Sequence, residues 1–237
     1  MCFGSLKKVF VWNSILFLLF SILFIFFPKV DIFLSDLFFY DKRFISDHFI
    51  FIKDLRILLK NLMIIIPIIA ILLLVTDFIR KKKGKKLFIS FRSKYAVIGL
   101  LLGPIIGCGL IANLYFKETW GRARPVHIEE FGGNKIFTGA FIKSTECKSN
   151  CSWISGETSA AFSFLVGTLL FKKNIFIFLN FILGFFVFFC RQSMGGHFFS
   201  DNIFAMIFMI YLAILYKSII FLCLKKRLIS EKNSSNN

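Results

Sequence analysis

Residues 62–86 read LMIIIPIIAILLLVTDFIRKKKGKK. The apolar run from Leu62 to Ile79 is interrupted by one charge, Asp77, and it ends against the densest positive run in the chain. At about 1.5 Å per helical residue, such a run crosses most of the roughly 30 Å hydrocarbon core of a bilayer. The basic run 80–86 then reads as a cytoplasmic stop signal, in preference to a dedicated headgroup-binding patch.

Working outward, five more apolar blocks repeat the pattern: Val9–Phe27, Tyr95–Tyr115, Thr158–Phe171, Asn174–Cys190 and Asn202–Leu224. Glycines 99, 103, 107 and 109 in the Tyr95 block permit close helix packing. The first block lacks a small-residue cleavage site, since Pro28-Lys29 follows it, so it reads as an uncleaved span. Cys2 precedes that block and is not a lipoprotein cysteine. Residues 30–60 mix charges with aromatics, as amphipathic helices in the interface would. The expectation is an all-α, polytopic membrane protein of six spans. It forms one domain, with a core over 9–224 and a polar, disordered tail over 225–237.

Composition agrees. Of the 237 residues 57% are hydrophobic and 18% charged, against about 45–50% apolar and 25% charged for a soluble domain. That excludes a disordered chain and argues against a soluble globule. The net charge of +17 could suggest nucleic acid, but the Lys and Arg residues flank apolar blocks and orient them. No nucleic-acid partner is expected. Lys7/Lys8, 80–86, Lys172/Lys173 and 225–227 all fall on one side of a six-span chain, which puts both termini in the cytoplasm. Segments 30–60, 116–157 and 191–201 then share the opposite face.

On that face three polar stretches gather: Lys117–Pro125 (KETWGRARP), Ile154–Glu157 (ISGE) and Cys190–Asp201 (CRQSMGGHFFSD). Lys117, Arg124 and Arg191 supply positive charge, and the Arg fork suits phosphate. Ser155 and Gly156 precede a helix, whose free N–H groups favour an anion. His197 and Asp201 are four apart, so a carboxylate can fix the imidazole tautomer and leave the other nitrogen as base or nucleophile. Singly, each stretch also fits interfacial anchors and a plain helix cap. His48 and His127 are read as having no role. Cys108, Cys190 and Cys223 read as small apolar residues. Cys147 and Cys151, four apart in the outer loop, suit a disulfide in an oxidising compartment better than a metal site.

Together the three stretches resemble the three-part signature of the type 2 phosphatidic acid phosphatase superfamily. The resemblance implies a metal-independent lipid phosphatase with no cofactor and a membrane lipid as partner. It implies His197 as nucleophile forming a phosphohistidine, and Asp201 as its partner. Lys117, Arg124 and Arg191 become the phosphate clamp, with Ser155 and Gly156 as donors to the phosphoryl group. Ile154 replaces a proline of the pattern and Cys190 a serine. Glu157 stands where the family has a histidine general acid, and it serves as acid only if protonated. WGRARP with Ser-Gly-Glu is similar to the lipid A phosphatase branch that removes the 4′-phosphate, which implies a periplasm-facing site in a bacterial inner membrane. Two other readings share the scaffold. One is an undecaprenyl-diphosphate or phosphatidylglycerophosphate phosphatase. The other is a catalytically silent relative that binds headgroups, a reading that Glu157 keeps open and that the intact Arg191, His197 and Asp201 set argues against.

Overall fold

The computed structural model of the chain describes residues 3–86 and 89–234; Cys2 lies outside them. The chain folds as an all-α membrane protein. Helix α1 (Phe3–Phe26) is followed by α2 (Val30–Asp36), a two-stranded hairpin pairing Phe39–Tyr40 with Arg43–Phe44, and α3 (Ile45–His48). Then come α4 (Ile50–Lys82) and α5 (Phe91–Gly103), which continues as a π-helix (Pro104–Phe116) into α6 (Lys117–Thr119). A long loop leads to α7 (Gly156–Ser163) and α8 (Leu165–Thr168), and α9 (Ile175–Ser193) and α10 (Phe199–Ser234) complete the chain.

Five helical segments among the described residues are long and apolar enough to cross a membrane: Ser5–Phe26, Ile50–Lys82, Arg92–Thr119, Ile175–Ser193 and Phe199–Lys225. Their outward residues, such as Leu18, Leu72, Leu114 and Phe178, are large, apolar and exposed. A water-soluble fold would hide such faces, whereas lipid solvates them. The expected fourth span is built differently, as two short helices, α7 and α8, joined at Phe164. Nearly all of their residues are buried by protein. Helix α5 can pack this closely on them because of its glycines. A Cβ at Gly103 would lie 2.2 Å from the Ser163 carbonyl oxygen, and one at Gly99 2.7 Å from that of Val166. The open carbonyls at the end of α8 are met by cations: Lys217 donates to Leu169 O at 2.8 Å and Arg92 to Leu170 O at 2.8 Å.

Two expectations are corrected. Residues 50–60 are not a separate interfacial helix. They are the first turns of α4, because nothing between Ile50 and Leu62 breaks a helix and Ile52, Leu59 and Met63 bury one continuous face. The tail is not wholly disordered either: α10 runs past Leu224 to Ser234, through a stretch without Gly or Pro.

The loop between α6 and α7 packs on the start of α10 through aromatics. Trp120 and Trp153 stack at 6.0 Å, and Phe141 meets Phe204 at 4.9 Å. Gly121, at φ 68°, lets the chain turn where a Cβ would collide with the Ser144 carbonyl. This packing holds residues 122 and 152 side by side, with Ser152 N donating to Arg122 O at 2.8 Å.

Candidate active site

His197 lies in the turn between α9 and α10, and both sides of that turn are capped. Helix α9 ends with Gly195 at φ 58°; Gly195 N donates to Gln192 O and Gly196 N to Arg191 O, each at 3.0 Å. That paired closure satisfies the last carbonyls of the helix. Helix α10 begins with Asp201 reaching back to accept from Phe198 N at 2.8 Å, which caps its first turn. His197 is thus held between two fixed helix ends. Its ring is buried, and Nδ1 lies 2.8 Å from the Ser152 carbonyl oxygen. A carbonyl only accepts, so Nδ1 carries the proton and Nε2 holds the lone pair. Burial, with the charges of Arg191, Arg124 and Lys117 added, holds the His197 pKa well below its ordinary value. The imidazole is therefore neutral at physiological pH.

Asp201 stands 3.6 Å from His197 Nδ1. Its carboxylate is engaged mainly elsewhere: Oδ1 accepts from Arg122 Nη1 at 2.6 Å, and Oδ2 accepts from the Ser152 hydroxyl. Ser152 therefore joins both partners, its carbonyl on the imidazole and its hydroxyl on the carboxylate. Arg122 is fully buried. It also donates from Nη2 to Asp31 Oδ2 at 2.8 Å and from Nε to Thr138 O at 2.9 Å, and it lies 4.2 Å over the Phe198 ring. Asp31, from α2, accepts in addition from Ser200 N at 2.9 Å and from the Ser200 hydroxyl. Burial raises the Asp31 pKa against the pull of Arg122. The Arg122 guanidinium and the Ser200 N–H nonetheless donate to its two oxygens, and such donors favour an ionised carboxylate.

Lys117, Arg124 and Arg191 gather beside this ring: Lys117 and Arg124 share Asn150, and Arg191 packs against Gly196, the residue before His197. Glycines make room for two of them. A Cβ at Gly156 would sit 2.9 Å from Lys117 Nζ, and one at Gly196 2.4 Å from Arg191 Nη2. Lys117 Nζ donates to Asn150 Oδ1 at 3.1 Å, while Arg124 Nη2 donates to Asn150 O and Oδ1, both at 2.8 Å. Two cations thus rest on neutral amide oxygens. The buried Nε of Arg191 has no hydrogen-bond partner among the described residues, a donor that an anion would satisfy. The Ser155 hydroxyl caps α7, accepting from Thr158 N and donating to Thr158 Oγ1 at 2.9 Å. Cys147 and Cys151 form a disulfide that closes the short loop carrying Asn150.

Glu157, in the first turn of α7, is gripped by Arg56 from α4. Arg56 Nε lies 2.9 Å from Oε2, and Nη2 bonds Oε1. Arg191 Nη1 is 3.6 Å from the same Oε1. Burial works to raise the Glu157 pKa, but the Arg56 hydrogen bonds and the charges of Arg191 and Arg56 outweigh it, so the carboxyl sits below its ordinary value. Beside the clamp a cavity of about 410 Å³ opens between α4 and the π-helix, lined by Lys60, Asn113, Lys117, Asn150, Glu157 and Ala160 among others. A larger groove, about 1010 Å³, lies between α1, the π-helix and α10. It is apolar and is lined by none of Lys117, Arg124, Glu157, Arg191 and His197, whereas the smaller cavity is lined by Lys117, Gly156 and Glu157.

A neutral imidazole with Nε2 unprotonated, beside three cations, has the chemistry of a base or nucleophile at an anion site. The sequence profile of the PAP2 superfamily matches residues 95–225, more than half of the chain and every clamp residue. This chain belongs to the PAP2 superfamily. Among PAP2 relatives, a protein named lipid A 4′-phosphatase from Francisella tularensis subsp. novicida (strain U112) is 39% identical over 145 residues, 60% of this chain and 62% of that one. Another of that name, from Rhizobium leguminosarum, is 43% identical over 68 residues, 29% of this chain and 28% of its own length. The chain thus matches less than two thirds of the length of these relatives. No solved structure matches it.

Sequence reasoning missed Arg56, Asn150, Ser152, Arg122 and Asp31. Arg56 carried a signal: an arginine at the head of a long apolar helix is a functional candidate. Arg122 read as an interfacial anchor, yet it is enclosed. Asn150 and Ser152 meet the site through main-chain carbonyls as well as side chains, and a polar residue in a polar loop leaves no distinctive mark on the sequence.

Proposed function

We propose that this PAP2 protein is a bacterial inner-membrane lipid phosphatase that removes the 4′-phosphate of lipid A at the periplasmic face, through a phosphohistidine. The observation that carries the reading is the neutral His197 imidazole, fixed by Ser152 with Nε2 free, among Lys117, Arg124 and Arg191. The names of the relatives support the choice of lipid.

Phosphate displaces the Asn150 oxygens from Lys117 and Arg124 and fills the open Nε valence of Arg191. Because the Ser155 hydroxyl is committed to its cap, donation from Ser155-Gly156 falls to main-chain N–H groups at the start of α7. Nε2 of His197 forms the N–P bond as the P–O bond to the sugar breaks, and Asp201 stabilises the ring that becomes positive. The sugar oxygen leaves with the proton that Glu157 takes up from solvent as the phosphate dianion approaches. Water then attacks phosphorus, the P–N bond breaks, and Glu157 takes the water proton. The resting, ionised Glu157 suits this second step. The approaching phosphate dianion raises its pKa, so that it can carry a proton to the leaving oxygen of the next turnover. The cavity beside α4 opens where a headgroup could reach the clamp from the bilayer.

The test is purified protein assayed against bisphosphorylated lipid A, undecaprenyl diphosphate and phosphatidylglycerophosphate, with products resolved by mass. Lipid A losing its 4′-phosphate supports the reading. Turnover of undecaprenyl diphosphate with lipid A untouched moves the assignment to a prenyl-diphosphate phosphatase, and binding without turnover makes the protein a silent relative.

A further inference from the structure

Asp31 lies far from the three motifs, in α2 just after the first membrane helix. The fold nevertheless brings it into one fully buried unit with Arg122 and Asp201. The guanidinium bridges the two carboxylates, Nη2 to Asp31 Oδ2 at 2.8 Å and Nη1 to Asp201 Oδ1 at 2.6 Å. Ser200 reinforces the bridge: it accepts from Arg122 Nη1 at 2.9 Å and donates to Asp31 through both N–H and hydroxyl.

The charge count matters. Arg122 alone with Asp201 would make a neutral pair, and the carboxylate beside His197 would offer the ring little field. Asp31 neutralises Arg122 from its other side, so the unit keeps one net negative charge, 3.6 Å from His197 Nδ1 at its nearest atom. The need for that charge arises when Nε2 bonds phosphorus. The ring then holds both the Nδ1 proton and the phosphoryl group and becomes cationic, in a pocket already crowded by Arg191, Arg124 and Lys117.

We infer that Asp31 is a positioning residue for the phosphohistidine step: through Arg122 it sets the orientation and effective charge of Asp201, and so the stability of the cationic ring. This rests on the phosphohistidine reading above, and it adds a residue from outside the three motifs.

The experiment is single-turnover phosphorylation of full-length protein in detergent micelles, with ³²P-labelled bisphosphorylated lipid A, counting acid-labile, base-stable protein phosphate. A wild type that forms none refutes the phosphohistidine reading itself. Given labelling of the wild type, Asp31→Asn should lower the rate constant of labelling by about tenfold or more, with its amplitude kept. Asp31→Glu should restore the rate to within a few-fold. A merely structural role would do the reverse, reducing the amplitude as misfolded protein accumulates and leaving the rate constant of the remainder unchanged; that result overturns the proposal. Should Asp31→Asn fail to fold, the double variant Asp31→Asn/Arg122→Gln carries the test, because it removes the pair together and leaves Asp201 its charge. Folded double variant labelling within about tenfold of wild type supports the proposal, since removing both buried partners spares the charge that removing one destroys. A double variant that is folded but inert, or that cannot fold, makes the pair a structural pin and overturns it.

Discussion

Glu157 and His197 carry opposite instructions at the residue scale. Arg56 and Arg191 hold the carboxyl ionised, while burial and three cations hold the imidazole neutral. If Glu157 handles the protons of both half-reactions, Glu157→Gln should slow steady turnover by roughly 10²–10⁴. Formation and decay of labelled phosphoenzyme should both slow, because each half-reaction loses its proton carrier. A Gln variant turning over at the wild-type rate would remove Glu157 from the catalytic set and leave it a tether for Arg56. The neutral imidazole has a consequence for stability. His197 has a folded pKa below its unfolded one, so below about pH 6.5 the unfolded chain binds a proton that the folded site refuses. Wild-type protein should therefore lose thermal stability as pH falls from about 6.5 to 5, whereas His197→Gln should lose less over that window. Parallel melting curves for the two proteins would contradict the burial of a neutral ring.

At the scale of elements, the site depends on how segments end. Its histidine sits between a glycine-closed helix and a carboxylate-capped one, and its clamp lysine closes the third membrane segment. These positions were legible in the sequence, because caps and motif spacings are local. The partners of those residues were not. Arg56 reaches Glu157 across 101 positions and Asp31 reaches Ser200 across 169, and local pattern holds no record of such pairings. Length misled as well: the Thr158–Phe171 block reads as one span, yet it breaks at Phe164 and is enclosed, so its apolar character reflects a protein interior as much as lipid. The disulfide acts at this scale too. Closing five residues stabilises by about 2 kcal/mol in a chain-entropy account, and it holds Asn150 over Lys117 and Arg124. Cys151→Ser should lower the melting temperature in detergent and spare turnover. A reductant should do the same to wild type and nothing further to the variant; an effect on the variant would mean another bond is responsible.

For the whole molecule, the hydrogen-bond pairs sort the helices into two ends. Asp31–Ser200, Arg56–Glu157 and Gln192–Leu34 tie one end, while Arg92–Leu170 and Lys217–Leu169 tie the other. Every clamp residue lies at the first end, and the dense basic run that closes α4 follows its opposite terminus. If that run faces the cytoplasm, the chemistry faces the periplasm. Alkaline-phosphatase fusions after residue 140 should then be active and fusions after residue 173 inactive; the reverse pattern would invert the protein.

The proposed reaction joins one residue to one lipid: His197 would remove the 4′-phosphate of lipid A. Its most direct test is expression of wild type and His197→Ala, at matched levels, in a bacterium whose lipid A carries phosphates at both the 1 and 4′ positions. Extracted lipid A is then analysed by mass spectrometry. Wild type should yield lipid A lighter by one phosphate, with fragment ions placing the loss at 4′, and His197→Ala should leave it bisphosphorylated, since no other side chain on the site supplies a nucleophilic imidazole. Lipid A unchanged by the wild type, or dephosphorylated equally by the alanine variant, would contradict the account.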